Sequence, residues 1–491
     1  MDLRFRGMSK VLELDSWNAN WSEAKVMVYG LGVTGFSVAD TLAELNAEVL
    51  VIAEKADEQR IDILGVLGVR VEVTAEDSMQ IDLLEEFQPD LVITSPGVVP
   101  ESKFIKAVIA KGLVLWTDID LAWHLRDKHG FSSQWICITG TNGKTTVTQM
   151  VEAMALAAGI RAKACGNIGV PILDAVRDPE AFQVLVVELS SFQLHYLNGI
   201  EPLVSAVLNI ADDHLDWHGS FSEYSMAKGK IFNNTKVCCL YNAEDLLTKE
   251  LMEKSKNSES AQAVGFTRFT PMPNEIGWVE DILVDRAFVD KADQATELAT
   301  LSDLKNVKVL SPHLLANVAA AAAIARAAGV QPSEISAALN QFKLDAHRIE
   351  LVLEKEGIRW IDDSKATNPH AAAASLSSFD SVIWIVGGLL KGVDISELVQ
   401  KYSKVIKAAI VIGLEREPVV SALVRYAPDA TVVEIDTTRD QVMLQAVRSA
   451  GELAASGDVV LLAPAAASMD QFVDYADRGD AFSRYVLEEV K

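Results

Sequence analysis

At 491 residues the chain is too long for one hydrophobic core, so two to four domains are expected. Apolar residues make up 49% and charged residues 23%, an ordinary globular balance, and the net charge of −25 argues against a nucleic-acid partner, which needs clustered Lys and Arg. Anionic small molecules stay open, because a local cationic pocket can sit on an acidic surface.

The four cysteines, Cys137, Cys165, Cys238 and Cys239, form no CxxC pair and suit reduced thiols in a cytoplasmic protein. Residues 1–25 lack the continuous apolar core of a signal peptide. The most apolar helical run, 314–330, carries Asn317 and Arg326 and reads as a packed helix, so no membrane span is expected.

Strand-like runs alternate with helical ones along nearly the whole chain, the pattern of parallel sheets covered by helices. Runs at 26–29, 49–53, 91–94 and 114–116 read as the strands of a first unit. Gly30-Leu31-Gly32-Val33-Thr34-Gly35 follows the first and opens a helix, and Glu54 ends the second. On spacing alone this is a dinucleotide fingerprint, and its natural owner is an NAD-linked oxidoreductase. A polar stretch, 126–134, precedes a fresh strand, which sets the expected units at 1–133, 134–343 and 344–491.

The second unit opens on a strand at 135–139 and the loop Ile138-Thr139-Gly140-Thr141-Asn142-Gly143-Lys144-Thr145-Thr146, with a helix expected over 146–158. Backbone N–H groups and the helix N-terminus face an anion there, Lys144 adds a point charge, and the Thr145 hydroxyl can reach Mg²⁺. The loop departs from G-x-x-x-x-G-K-[ST], since Ile138 stands five before Gly143. A dehydrogenase has no use for a second phosphate loop, and no hydride-transfer site is in view. That counts against the oxidoreductase.

Further strands are expected at 184–189, 204–209 and 237–241. Glu188 lies at the end of the first, Asn209-Ile210-Ala211-Asp212-Asp213-His214 follows the second, and Lys228 sits on a helix starting near Ser222. Strand ends on one edge of a parallel sheet converge where ligands bind, so Glu188 and His214 are candidate Mg²⁺ ligands with Thr145. Taken alone, the acidic loop reads as a solvated turn and Lys228 as a surface lysine. Residues 253–306 are irregular, with hairpin-like pieces, and helices follow at 312–328 and 332–341. A third unit then carries strands at 382–386, 408–412, 431–435 and 459–462.

Together these segments resemble the Mur ligases and their relative folylpolyglutamate synthase, which activate a carboxylate as an acyl phosphate and let an amine attack it. The resemblance implies an α/β chain of three domains: Rossmann-like N-terminal, P-loop-type central ATPase and Rossmann-like C-terminal. It implies ATP at Gly140, Thr141, Asn142, Gly143, Lys144, Thr145 and Thr146, with Asn317 at the adenine and Arg348 of Asp345-Ala346-His347-Arg348 at the phosphates. Leu314 replaces the first Asn of the family's H-N-x-x-N segment. Lys228 would be carbamylated and would hold magnesium with Thr145, Glu188 and His214; Lys144, Glu188, His214 and Lys228 form the implied catalytic set. An unperturbed lysine, with a pKa near ~10.4, forms a carbamate poorly at neutral pH.

In this family the first domain holds a uridine diphosphate, here at Gly30, Gly32, Thr34, Gly35, Glu54, Ser95, Pro96 and Gly97, with Asn167 of a GNIG loop nearer the muramoyl end. Asp362-Asp363-Ser364-Lys365-Ala366-Thr367-Asn368 resembles the D-S-K-A-T-N motif of the members that add D-glutamate. Lys365, Thr367, Lys391, Ser468 and Tyr475 are carried over as its binding residues, cations and hydroxyls suiting a dicarboxylate. Tyr475 stands where the family has phenylalanine. The expected partners are UDP-N-acetylmuramoyl-L-alanine and D-glutamate, with ATP and Mg²⁺, on a cytoplasmic monomer. Another Mur ligase, a folate polyglutamylase and a silent nucleotide-binding scaffold are the alternatives.

Overall fold

The computed structural model describes residues 11–55, 57–256, 261–291, 293–436 and 441–490. The first ten residues, on which part of the leader reading rests, lie outside that set, as do five positions (257–260 and 292) of the irregular stretch. Three sheets draw their strands from successive stretches of chain.

The first sheet has five parallel strands in the order Arg70–Val73, Glu48–Ala53, Lys25–Tyr29, Leu91–Thr94, Val114–Trp116. The four strands expected from sequence are there. Arg70–Val73 escapes notice because it is a short edge strand whose Arg and Glu interrupt the apolar run. Strand order reverses between Lys25–Tyr29 and Leu91–Thr94, which opens a crevice at their carboxyl ends.

The central sheet has nine strands. From one edge run Ala162–Gly166, Val184–Glu188, Gln134–Thr139, Val204–Val207, Cys238–Asn242 and Gln262–Phe266, all parallel. The irregular stretch supplies the last of these, then Glu275–Val279, and then the antiparallel strands Ile282–Asp285 and Thr296–Thr300. Helix Pro312–Ala327 packs beside helix Lys144–Ala157 over this sheet. Ala319 through Ala323 are wholly buried, and side chains this small let the helix approach closely.

The third sheet runs Glu350–Lys355, Ile358–Asp362, Val459–Leu462, Val382–Gly387, Ile406–Ile412, Thr431–Glu434, parallel except for its first pair. That first hairpin was not expected; its charged outer strand hides the pattern.

Several boundaries shift for local reasons. The helix carrying Lys228 is Phe221–Gly229, one residue earlier than expected, because Ser220 caps it by accepting from the Glu223 N–H. Helix Lys144–Ala157 starts two residues early, directly on Gly143. The strand expected to reach residue 209 ends at Val207, freeing Asn209 for the loop described next.

Candidate functional site

Strand Gln134–Thr139 turns into helix Lys144–Ala157 through Gly140-Thr141-Asn142-Gly143. Gly143 has φ +83° and a Cβ there would stand 2.4 Å from Asn317 Oδ1, so both conformation and space demand glycine. Asn209 holds the loop open: its side chain accepts from Asn142 N (2.8 Å) and donates to Asn142 O (3.0 Å), while its carbonyl accepts from Thr141 N (2.9 Å). Thr141 Oγ1 lies 2.8 Å from the Tyr224 hydroxyl. Sequence reasoning passed over Asn209, although its place just beyond a strand beside the phosphate loop was the available signal.

Lys144 Nζ donates to the carbonyls of Gly140 (3.0 Å) and Thr141 (2.9 Å), which poises the charge over the loop. Thr145 Oγ1 donates to Glu188 Oε2 at 2.9 Å, and Asn167 Nδ2 donates to Glu188 Oε1 at 2.9 Å. Glu188, at 2% exposure, thus joins the phosphate loop to the GNIG loop. A hydroxyl and a carboxylate this close are the oxygen donors Mg²⁺ prefers, so the pair fits that ion.

Lys228 is also only 2% exposed. Its Nζ donates to Gly140 O (2.8 Å) and stands 3.3 Å from Thr139 Oγ1. Burial holds it well below the usual lysine range, the Lys144 charge adding and Asp213 and Glu188 opposing. The surface-lysine reading is therefore wrong here, and burial favours the neutral amine.

His214 (φ +53°) caps the short helix Leu215–His218 and lies edge-on to Phe192 at 4.7 Å. Burial lowers its pKa, opposed by Asp213 and helped by Lys391, Lys144 and Lys228, so the imidazole is neutral at pH 7. Among the described residues, the compact His/Asp/Glu group with metal-ligand spacing is instead His347, Glu350 and Asp362. Its members already bond one another: Asp362 Oδ2 is 2.7 Å from His347 Nδ1, and Glu350 accepts from His347 N.

The segment carrying His347 and Arg348 leads into the third sheet and meets the phosphate loop. Arg348 and Lys365 line one cleft with Asn142, Gly143, Asn317 and the buried, apolar Leu314. Arg348 Nε is buried and makes no hydrogen bond among the described residues, with Asp345 Oδ2 only at 3.9 Å, which leaves it a loosely held donor. Asn368 Nδ2 reaches Asn142 Oδ1 at 3.3 Å. Burial and the Arg348 charge bring Lys365 down to about 8, Asp345 and Glu188 opposing; its Nζ contacts the Tyr475 hydroxyl at 3.2 Å.

Thr367 is half-buried beside Lys365, bonded N–H to carbonyl. Ser468 is buried, and Lys391 is exposed on a left-handed turn (φ +53°) yet close enough to influence His214. Arg478, 1% exposed, ties Ser364 to Ala466 and so braces this wall; sequence reasoning missed it.

In the first unit, Gly30, Gly32, Glu54, Ser95 and Gly97 line a cleft of about 500 Å³. Thr34, Gly35 and Pro96 are not on its wall. Gly35 shapes it, since a Cβ there would stand 1.9 Å from Gly30 O. Ser95 Oγ is buried and unpartnered among the described residues, a donor free for an anion. Trp217 Nε1 donates to Gly97 O (3.1 Å), so this cleft abuts the central loops. Asn167 lies apart from it, on Glu188.

Three family models match in order: Mur ligase MurD-like, N-terminal domain, over 24–116; Mur ligase middle domain over 138–325; and Mur ligase, glutamate ligase domain, over 347–466. The UDP-N-acetylmuramoylalanine–D-glutamate ligase of Leifsonia xyli subsp. xyli is 50% identical, the match covering 98% of this chain and 95% of that one. That of Streptomyces avermitilis is 45% identical over 95% and 98%. Among solved structures, a pseudomurein peptide ligase type C from Methanothermus fervidus superposes with TM-score 0.57 (17% identity, 96% and 100% covered). MurF ligase from Thermotoga maritima in complex with ADP gives 0.55 (17%, 96% and 97%). At such identity these two speak for the three-domain fold alone. With one relative at half identity along nearly its entire length, the chain belongs to the Mur ligase family, ATP-dependent amide-bond-forming ligases of peptidoglycan precursor synthesis.

Proposed function

We propose that this chain joins D-glutamate to UDP-N-acetylmuramoyl-L-alanine through an acyl phosphate, in the cytoplasm and as a monomer of three units, 1–133, 134–343 and 344–491. The observation that carries the reading is the seating of the Asp363-to-Asn368 segment on the phosphate loop, with Lys365 beside Arg348 and Asn368 on Asn142. The relatives' printed activity and the D-S-K-A-T-N match support the same substrate pair.

In this reading Gly30, Gly32, Glu54, Ser95 and Gly97 hold the uridine diphosphate, on a loop shaped by Thr34, Gly35 and Pro96, and Asn167 meets the muramoyl-alanine end. Gly140 through Thr146, Asn317 and Arg348 hold ATP. Thr145, Glu188, His214 and a carbamate on Lys228 hold Mg²⁺, which supplies charge neutralisation at the phosphates. The L-alanine carboxylate attacks the γ-phosphorus and ADP leaves. Lys144 and Arg348 stabilise the charge that develops on the transferring group.

Lys365, Thr367, Lys391, Ser468 and Tyr475 hold D-glutamate so that its amine faces the acyl carbon. The amine attacks, phosphate leaves, and the amine's proton passes to a base. Lys228 is carbamylated when its neutral amine adds CO₂ and releases one proton, which its depressed pKa favours. The test is ADP release with UDP-N-acetylmuramoyl-L-alanine and a panel of amino acids. D-Glutamate should stimulate it; stimulation by L-alanine, a diamino acid or a dipeptide instead would overturn the assignment.

A further inference from the structure

Away from the reacting groups, the first and central units meet through two helices that start at the two substrate loops. Helix Val33–Glu44 begins on the glycine loop, with Gly32 as its N-cap. Helix Ile172–Arg177 begins just after the GNIG loop, whose Asn167 is fixed to Glu188 by backbone and side chain. Ser37, Asp40, Thr41 and Glu44 recur at helical spacing and so share one face. Asp174 and Arg177 answer them from the other helix.

The contacts are close. Ser37 Oγ donates to Asp174 Oδ1 at 2.6 Å. Arg177 Nη1 reaches Asp40 Oδ2 at 2.6 Å and Thr41 Oγ1 at 2.9 Å, and its Nε pairs with Glu44 Oε2 at 2.9 Å. Ser37 and Thr41 are buried, and the Arg177 side chain is 21% exposed, so water screens this cluster less than a surface pair. None of these side chains lines the glycine-loop cleft or touches Glu188.

We propose that this clamp sets the spacing between the diphosphate loop and the Asn167–Glu188 end of the site, and that Arg177 is a positioning residue for the UDP-linked substrate. The inference rests on the reading of that substrate given above. A ligand held at both ends behaves as two linked binding groups, and its second contact gains only if the two loops stand the right distance apart. Loosening the clamp lowers the effective concentration of the far end without altering the near end. UDP alone, held at the near end, is blind to it.

Calorimetry on the full chain tests this with UDP and with UDP-N-acetylmuramoyl-L-alanine. Arg177→Ala should weaken the complete substrate by about tenfold and leave UDP within about twofold. Arg177→Lys, keeping the charge without the fork, should recover part of the loss. Ser37→Ala, which removes one uncharged donor, guards against a variant that fails to fold and should move the same ratio by a smaller factor. Equal weakening of both ligands, or no weakening of either, would overturn the clamp. A wild-type chain that binds the complete substrate no better than UDP would instead overturn the substrate reading itself.

Discussion

Gly30–Gly35 and Gly140–Gly143 each join the carboxyl end of a parallel strand to a helix, yet their surroundings differ in charge. Around the first, Tyr29 is pushed up to about 12 by burial and the Glu54 charge, and the free group is a hydroxyl, Ser95. Around the second, Lys144, Lys228, Arg348 and Lys365 share a desolvated site with Glu188 and His214. Each shifts its neighbours: Lys228 falls well below its usual range, Lys365 falls to about 8, and His214 stays neutral. On the function proposed above, one backbone device thus serves binding in one place and chemistry in the other. What separates them is the titratable groups that other strands deliver.

The sharpest way to break that comparison is to remove the cation of the second loop. Lys144→Ala should lower kcat by roughly 10²–10³-fold, the range for losing one preorganised transition-state contact. Affinity for the UDP substrate, measured by calorimetry, should hardly change. A matching loss of substrate affinity would mean that the two loops serve one site.

Lys228→Ala comes next, with a loss of at least roughly 10–100-fold, the range for losing even an outer support of a metal ligand. Added acetate or formate should restore part of the rate by standing in for the carbamate. Full activity in the variant would dispose of the carbamate, and a failure of rescue would leave Lys228 as a plain cation beside Gly140.

The two strand–loop–helix units were legible in the sequence because glycine spacing, Lys144 and the flanking apolar runs are local signals. The buried strands of all three sheets read as continuous apolar stretches for the same reason. Edge strands such as Arg70–Val73 and Glu350–Lys355 were not legible, since charged residues tolerated at an edge erase the pattern. Nor were the partners of Arg478 and of Asn209, the latter marked only by its place just beyond a strand. Their roles come from contacts between segments far apart in the chain, which no window of sequence contains. Lys228 was recognisable only through the family motif. Its unusual acidity is a product of burial, and burial belongs to the folded chain.

Within the reacting half, Lys391 and Lys365 sharpen the comparison further, because both are assigned to D-glutamate but only Lys365 is partly buried. Removing a charge-assisted hydrogen bond typically costs ~1.5–3 kcal/mol, and the solvent exposure of Lys391 puts it at the low end. Lys391→Ala should raise KM for D-glutamate by about tenfold, with smaller effects on KM for ATP and the UDP substrate. A defect mainly in ATP would move Lys391 to the nucleotide site.

The smallest effect expected is a pH dependence. Lys365 loses its proton at about 8 because burial and the Arg348 charge both disfavour its ammonium form. Below that pH it is a cation that can pair with a substrate carboxylate; above it the amine is neutral and the pairing weakens. One pH unit above the pKa, roughly one molecule in ten stays charged, so KM for D-glutamate should climb several-fold between about pH 7 and 9. A bound carboxylate would itself favour the ammonium form and soften that rise. D-Glutamate's own amine also titrates in this range, so the wild-type profile alone is ambiguous. Lys365→Arg resolves it, because a guanidinium stays charged throughout. With the substrate's titration common to both proteins, the ratio of wild-type to variant KM should rise through pH 8. A flat ratio would mean that Lys365 does not hold D-glutamate through its charge, and that its place beside Tyr475 serves the packing of that wall instead.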